Sequence, residues 1–184
     1  NRLCYEARRA RSREYYNDLL YQYPKGHDLS PTRKVKSDLR RLPTEQVLPA
    51  ATDLDRMSAL EIVRLMNQED STVATAVGRA LPQIARAIDV VVAGLRQGGR
   101  LIYVGAGTSG RIGALDASEI PPTFNTDPSI VQYIMAGGPK ALGASTEASE
   151  DDTSLAVAEI KKRKPGKRDI VLGIATSGRT PFTI

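Results

Sequence analysis

The stretch Leu101-Ile102-Tyr103-Val104-Gly105-Ala106-Gly107-Thr108-Ser109-Gly110-Arg111 decides the fold. An apolar run meets Gly105, Gly107 and Gly110 and the hydroxyls of Thr108 and Ser109, the order of a buried strand turning into a helix N-terminus. Glycines let the backbone approach a ligand, while the N–H groups of the helix start and the two hydroxyls can all donate to an anion. The stretch therefore reads as a phosphate cradle. A near copy lies downstream, where Ile170-Val171-Leu172-Gly173-Ile174 runs into Ala175-Thr176-Ser177-Gly178-Arg179-Thr180-Pro181. Both loops follow the carboxyl end of a strand, so a parallel sheet would set them side by side and let their hydroxyls grip one phosphate.

Upstream, Ser58 and Glu61 form a capping box that opens a helix with Leu60, Val63 and Met66 on one face. Helical spacing continues through Val73, Ala76, Val77, Ala80 and Leu81, and resumes after Pro82 with Ile84, Ile88, Val91 and Leu95. Pro82 predicts a kink or a fresh first turn, and Gly98-Gly99 the stop. Downstream of the first cradle, Ile112, Leu115 and Ala117 predict a short helix running to Glu119 and broken by Pro121-Pro122. Ile130 to Met135 reads as a second strand, followed by Gly137-Gly138 and a small-residue helix. Leu155, Ala158 and Ile160 mark another helix, ending at Lys161 to Lys164 and Pro165-Gly166, and Asp169 to Ile174 is the third strand. Strand alternating with helix at this spacing predicts an α/β fold with a parallel sheet flanked by helices. The expected organisation is a basic arm over 1–38, a helical lead-in over 39–99, irregular as far as Thr52, and the sheet domain over 100–184. A three-stranded parallel sheet is small, and the chain ends four residues past Thr180, before the helix the second cradle should feed. The domain is expected to be incomplete at its C-terminus.

The 184 residues suffice for one domain with an appendage, and the net charge of +5 is unevenly placed. Arg2, Arg8, Arg9, Arg11, Arg13, Lys25, Arg33, Lys34 and Lys36 all precede the first domain signal. A solvated leader is the plain reading of this arm; its tyrosines, among them Tyr5, Tyr15, Tyr16, Tyr21 and Tyr23, also suit one docking helix near Cys4 to Tyr21. Cys4 is the single cysteine and His27 the single histidine, which argues against a Cys/His hydrolase and a histidine-rich metal site. No run approaches a membrane span, no secretory core is present, and Glu6, Glu14 and Asp18 argue against an organellar presequence. The expectation is a cytoplasmic protein with no nucleic-acid or membrane partner.

Gly105, Gly107 and Gly110 also satisfy the G-x-G-x-x-G pattern of dinucleotide sites. Such a site wants an acid at the end of the second strand. Asp127 precedes that strand, and its end, Met135-Ala136-Gly137, carries no acid. The second Thr-Ser-Gly-Arg-Thr loop has no role in dinucleotide binding either.

Gly105 to Arg111, Asp116-Ala117-Ser118-Glu119 with Pro121-Pro122-Thr123-Phe124, Ala136-Gly137-Gly138, and Ala175 to Phe182 together resemble the N-acetylmuramic acid 6-phosphate etherases of the sugar isomerase (SIS) domain superfamily. The similarity runs from about Leu39, through Thr44-Glu45 and Asp53-Leu54-Asp55, to the final residue. The resemblance implies an SIS-type parallel sheet, a homodimer, and cleavage of the D-lactyl ether to give N-acetylglucosamine 6-phosphate and D-lactate with no metal or redox cofactor. The family's two glutamates match Glu119 and Glu150, the latter in Glu147-Ala148-Ser149-Glu150-Asp151. Leu48 stands where the family usually has an asparagine, family members continue beyond Ile184, and residues before Leu39 have no counterpart.

The chemistry so implied is elimination followed by hydration. In the open sugar the C1 aldehyde acidifies the C2 proton, and the lactate at C3 is a β-leaving group. Two carboxyls suffice, one raised in pKa by burial so that it exchanges protons near neutrality. Glu119 is expected to act at C2 and C3, with Glu150 as its partner. Thr108, Ser109, Ser177 and Thr180 are the expected phosphate donors, with backbone N–H groups around Gly107 and Gly178. Arg111 and Arg179 suit either phosphate or a structural ion pair. Two other functions stay open on the same fold, as does an inactive fragment of an etherase. A sugar-phosphate-binding regulatory protein, like the glucokinase regulators, could dispense with Glu119, and an aldose-ketose isomerase would release no lactate.

Overall fold

A computed structural model of the chain describes residues 44, 46–144 and 149–184. The basic arm over 1–38 and Glu147 lie outside the described residues. The chain divides into two compact units between Ile88 and Asp89. Before the first long helix, the described residues turn twice in short 3₁₀ segments, Pro49–Ala51 and Leu54–Arg56.

Helix α1, Ala59–Arg96, opens with the capping box expected of Ser58 and Glu61: the Ser58 N–H and hydroxyl both donate to Glu61 Oε2 at 2.7 Å. It then passes through Pro82 as one helix of 38 residues rather than two. A proline here removes one N–H from a long ladder, and the bond lost is the one to Gly78, a residue with no side chain to crowd the ring. In the unit up to Ile88, this helix exposes Leu60, Val63, Met66, Val73, Val77, Leu81, Ile84 and Ile88. The helix ends as Gly98-Gly99 predicts. Gly98 has φ +74°, its N–H donates to the Leu95 carbonyl at 2.9 Å, and the Gly99 N–H donates to the Gly94 carbonyl at 3.0 Å. These paired bonds close a helix on a left-handed glycine.

The second unit, Asp89–Ile184, holds a parallel sheet of β1 (Leu101–Gly105), β2 (Val131–Met135) and β3 (Ile170–Ile174) in the order β2-β1-β3. Alternation along β1 divides its side chains between two faces. Ile102 and Val104 join Ala106, Ile134, Ala136 and Phe182 in one cluster, covered by Leu155, Ala156 and Ile160 of helix α3 (Thr153–Arg163). Leu101 and Tyr103 face the other cluster with Val131, Val91 and Leu95, and with Ala117 of helix α2 (Gly107–Phe124). This α/β sheet flanked by helices is the predicted class.

One local expectation changes. Helix α2 does not break at Pro121-Pro122 but includes both and runs to Phe124, so Glu119 lies inside it. The prolines fall in its last turn, where only two N–H bonds are forfeited and the fixed proline φ is already helical; Asn125, left-handed at φ 51°, makes the end. The small-residue helix after β2 is a short 3₁₀ one, Gly138–Leu142. On the outer side of β2, Arg163 of α3 reaches across and donates to Gln132 Oε1 at 2.9 Å and to the Tyr133 carbonyl at 3.2 Å.

At the sheet's amino end, Arg100 and Asp169 fasten β1 to β3. Asp169 Oδ1 accepts from the Arg100 N–H at 2.7 Å, Oδ2 accepts from the Arg100 guanidinium at 2.7 Å, and Oδ2 also accepts from the Gly166 N–H. The guanidinium bond, ahead of the backbone bonds, holds the Asp169 carboxyl down to about 2 from 3.8. A lowered folded pKa means stability that is present above the unfolded value and lost as pH falls through the folded one. Asp169→Asn is therefore expected to cost about 2 kcal/mol at pH 7. In denaturant melts, the gap between parent and variant should close as pH falls from about 4 to about 2.

Candidate functional site

Helix α2 begins immediately after β1 because the chain must turn from strand to helix within Ala106-Gly107. Gly107 takes φ +54°, a conformation open to glycine, and Ala106 at the cap position offers no side-chain acceptor. The first-turn N–H groups of α2 are thus left to water or a ligand. Thr108 is exposed and Ser109 half-buried, and neither caps the helix. The Gly105 and Gly110 spacing has its own cause: a Cβ on Gly110 would stand 2.7 Å from the Gly105 carbonyl oxygen. Only glycine lets the first turn of α2 sit down on the end of β1.

The second loop lies beside the first, since β1 and β3 pair in register with Gly105 opposite Ile174. Neighbouring strands lie about 4.8 Å apart, so the two loops leave one edge of the sheet together. Gly178 is left-handed at φ 65°, and Ser177 Oγ accepts from the Arg179 N–H at 3.3 Å, which leaves its own proton to donate. Thr180 is half-buried, and its carbonyl accepts from Thr183 and Ile184. Phe182, 2% exposed, pins this loop into the core. It was missed in the sequence; its one signal is an aromatic residue in an otherwise small and polar loop.

Glu150 joins the two loops. Its Oε1 lies against Gly107, 2.8 Å from where a Cβ on that residue would stand, and its carbonyl accepts from the Phe182 N–H at 3.0 Å. One residue thus touches the first cradle with its side chain and the second with its main chain. Glu119 is placed elsewhere. It is exposed on α2, twelve residues beyond Gly107, which is about 18 Å along the helix axis. The structure brings Glu150 to the cradles and does not bring Glu119 to them, nor does it bury Glu119.

Other residues near the site are structural. Among the described residues Arg111 pairs with no acid; it donates to the carbonyls of Leu142 at 3.2 Å and Ala144 at 3.2 Å, holding the segment after β2. Tyr103 donates to Asp116 Oδ2 at 2.6 Å and passes beneath Gly113, whose missing Cβ makes room for the ring. Burial first, and the bond to Asp116 second, push the Tyr103 phenol well above its usual range, so it stays a donor. Among the described residues no group of three or more His, Cys, Asp or Glu could hold a metal ion. No described helix is long and apolar enough to cross a membrane. A groove along the outer edge of β2, lined by Ser118, Gln132, Glu159 and Arg163 among others, includes none of the cradle residues.

A parallel sheet whose adjacent strand ends carry two glycine-and-hydroxyl loops is the arrangement of sugar isomerase domains. Residues 83–184 match the family described as the glucokinase regulatory protein N-terminal SIS domain, and the chain belongs to that family. It is also similar to curated proteins named N-acetylmuramic acid 6-phosphate etherase: 49% identical over 156 residues to that of Streptomyces avermitilis, covering 85% of this chain and 50% of the relative. The one from Symbiobacterium thermophilum is 51% identical over 148 residues, covering 80% and 49%, and the one from Erwinia tasmaniensis 50% identical over 147 residues, covering 80% and 48%. The chain spans about half the length of the curated relatives it matches.

Gly107→Ala should destabilise the fold by about 1 kcal/mol, chiefly from left-handed strain, since the Glu150 carboxylate that a Cβ would meet is the end of a flexible side chain and can swing aside. In a Glu150→Ala background thermal melts should show nearly the same penalty, because the strain remains and little else was lost.

Proposed function

We propose that the chain is part of a lyase that cleaves the D-lactyl ether of N-acetylmuramic acid 6-phosphate by elimination and then hydration. The observation that carries this reading is the placing of Glu150 between two adjacent hydroxyl-rich loops, within a chain about half identical to named etherases over most of its length. In this reading the sugar's phosphate sits on the first-turn N–H groups of α2 and takes hydroxyl bonds from Thr108, Ser109, Ser177 and Thr180, with Gly107 and Gly178 giving the backbone its approach. The ring opens to its aldehyde, a carboxylate removes the C2 proton, and the C3–O bond breaks as the lactate oxygen is protonated. Water then adds to the unsaturated aldehyde at C3, and C2 is reprotonated to give N-acetylglucosamine 6-phosphate. Every step is proton transfer and charge stabilisation, which Glu119 and Glu150 can supply between them.

The distance along α2 places a condition on that pairing. About 18 Å separates Glu119 from the cradle of its own chain, beyond the reach of one hexose and one glutamate side chain. A homodimer meets the condition: a second copy lays its Glu119 beside the first copy's cradle and Glu150, and a twofold axis makes the exchange mutual. The exposed apolar face of α1, from Leu60 to Ile88, supports association with a second copy. The proposed setting is the cytoplasm, where phosphorylated sugars are held. A non-catalytic sugar-phosphate-binding protein is the second reading, favoured by the regulatory protein for which the matched family is named.

The deciding experiment is D-lactate release from N-acetylmuramic acid 6-phosphate by the purified chain. Lactate is expected from the parent and none from Glu119→Ala or Glu150→Ala. Mixing the two inactive variants should restore roughly a quarter of the parent rate, because half the dimers are mixed and each mixed dimer holds one intact site. No lactate from a folded dimer that binds the sugar phosphate would overturn the lyase in favour of the binding protein. Activity in the parent without complementation would overturn the shared site.

A further inference from the structure

The amino end of the sheet carries a positive charge that the chain itself does not balance. The end of α1, the start of β1 and the stretch from the last turn of α3 to β3 converge there. The Arg168 guanidinium donates to the Gln97 carbonyl at 3.0 Å, and that of Arg100 to the Arg163 and Lys164 carbonyls at 3.1 Å and 3.4 Å. Lys161-Lys162-Arg163-Lys164 and Lys167-Arg168 are thereby brought to the same end as Arg96 and Arg100. The acids of these segments are already engaged, Glu159 by Lys162 and Asp169 by Arg100, while Asp127, ahead of β2, accepts from the Ser129 N–H. Arg96, Lys161, Lys164, Lys167 and Arg168 are exposed and pair with no acid among the described residues.

Basic residues in the last turn of a helix have a local use, which is to offset its negative end. At α3 that use is filled. The Lys164 N–H takes the Ile160 and Lys161 carbonyls, and Arg100 takes those of Arg163 and Lys164. The other cations repel one another, and Lys164 adds a backbone cost: it stands at φ 47° and ψ 59°, the left-handed conformation that favours glycine. A lysine kept where glycine would be relaxed, inside a surplus of like charge, points to an anion from outside.

The surroundings say which kind of anion. No large apolar side chain of 96–100 or 161–169 is exposed, so the patch lacks the apolar anchor of a protein interface. Neither segment contains an aromatic residue on which an unpaired base could stack. A duplex backbone needs neither, only cations set against a row of phosphates. We propose that this end of the sheet binds the phosphate backbone of double-stranded nucleic acid without regard to sequence, through Lys161, Lys164, Lys167 and Arg168 with Arg96. The cradles leave the opposite, carboxyl end of the strands, so the inference stands apart from the lyase reading. It departs from the expectation of no nucleic-acid partner, which placed the excess of charge in the arm.

The test is fluorescence anisotropy of a labelled 25-base-pair DNA duplex titrated with the full chain over a series of sodium chloride concentrations. Lys161→Gln, Lys164→Gln, Lys167→Gln and Lys164→Gly are compared with the parent and with Lys140→Gln, a lysine beyond the carboxyl end of β2, after circular dichroism has confirmed that each is folded. The basic arm is common to all, so differences between them belong to the patch. Each patch variant is expected to flatten the slope of log K against log salt by about 0.9, and Lys140→Gln to leave it unchanged. Lys164→Gly should also raise the thermal midpoint by about 4 °C, because the left-handed strain is relieved as the cation is lost. A parent that binds no duplex at 50 mM salt overturns the inference, as do patch variants that match Lys140→Gln. A Lys164→Gly chain that melts no higher than the parent, or binds as well, overturns it too. Polyglutamate bound as tightly as the duplex, with the same loss in the patch variants, replaces nucleic acid with an acidic protein segment.

Discussion

Parallel pairing of β1 with β3 sets Gly105 opposite Ile174, and the candidate site exists because of that register. Each strand ends in a loop of glycine and hydroxyl residues, and adjacency turns two weak anion-binding loops into one concave edge. A slip of one residue would reverse the faces of β3 and withdraw Ser177 and Thr180 from Thr108 and Ser109. The register is held at both ends of the strands. Arg100 and Asp169 tie the amino ends, and Phe182, with its N–H on the Glu150 carbonyl, anchors the loop beyond the carboxyl end. The residue that closes this tie is the one whose side chain faces the first cradle.

Helix α2 couples the cradle to the distant acid as a rigid rod. Its first turn is pressed onto β1 by the close approach of Gly105 and Gly110, and its middle is seated on Tyr103 through Gly113 and Asp116. With both contacts made, rotation about its axis is fixed, and so is the direction in which Glu119 leaves the surface. The Asp-Ala-Ser-Glu word divides its labour accordingly, with Asp116 accepting from the strand beneath and Glu119 exposed to whatever approaches from outside.

Much of this was legible in the residues alone, because strand-to-helix junctions with glycine at fixed offsets have few alternative structures. The cradle, its copy, the parallel sheet, the capping box at Ser58 and the stop at Gly98-Gly99 all follow from local chemistry. The misreading at Pro121 and Pro122 has one cause: prolines break a helix from within, whereas in its last turn they remove little that packing does not restore. What no local rule could supply was the long-range placement. That Arg111 serves two carbonyls, that Phe182 is core, and that Glu150 leans on Gly107 while Glu119 stands far along α2 depend on contacts between residues remote in sequence.

The two edges of the sheet are not equivalent. On β2 the guanidinium of Arg163 lies across the outward-facing backbone and already engages the Tyr133 carbonyl, so a foreign strand arriving there meets a bulky cation and an acceptor in use. The outer side of β3 has no such guard among the described residues, and Val171 on that strand is exposed. A polypeptide leaving the ribosome with this asymmetry is protected from edge-to-edge clumping on one flank and receptive on the other. Any strand that extends the sheet is thereby directed to the flank where the second loop begins.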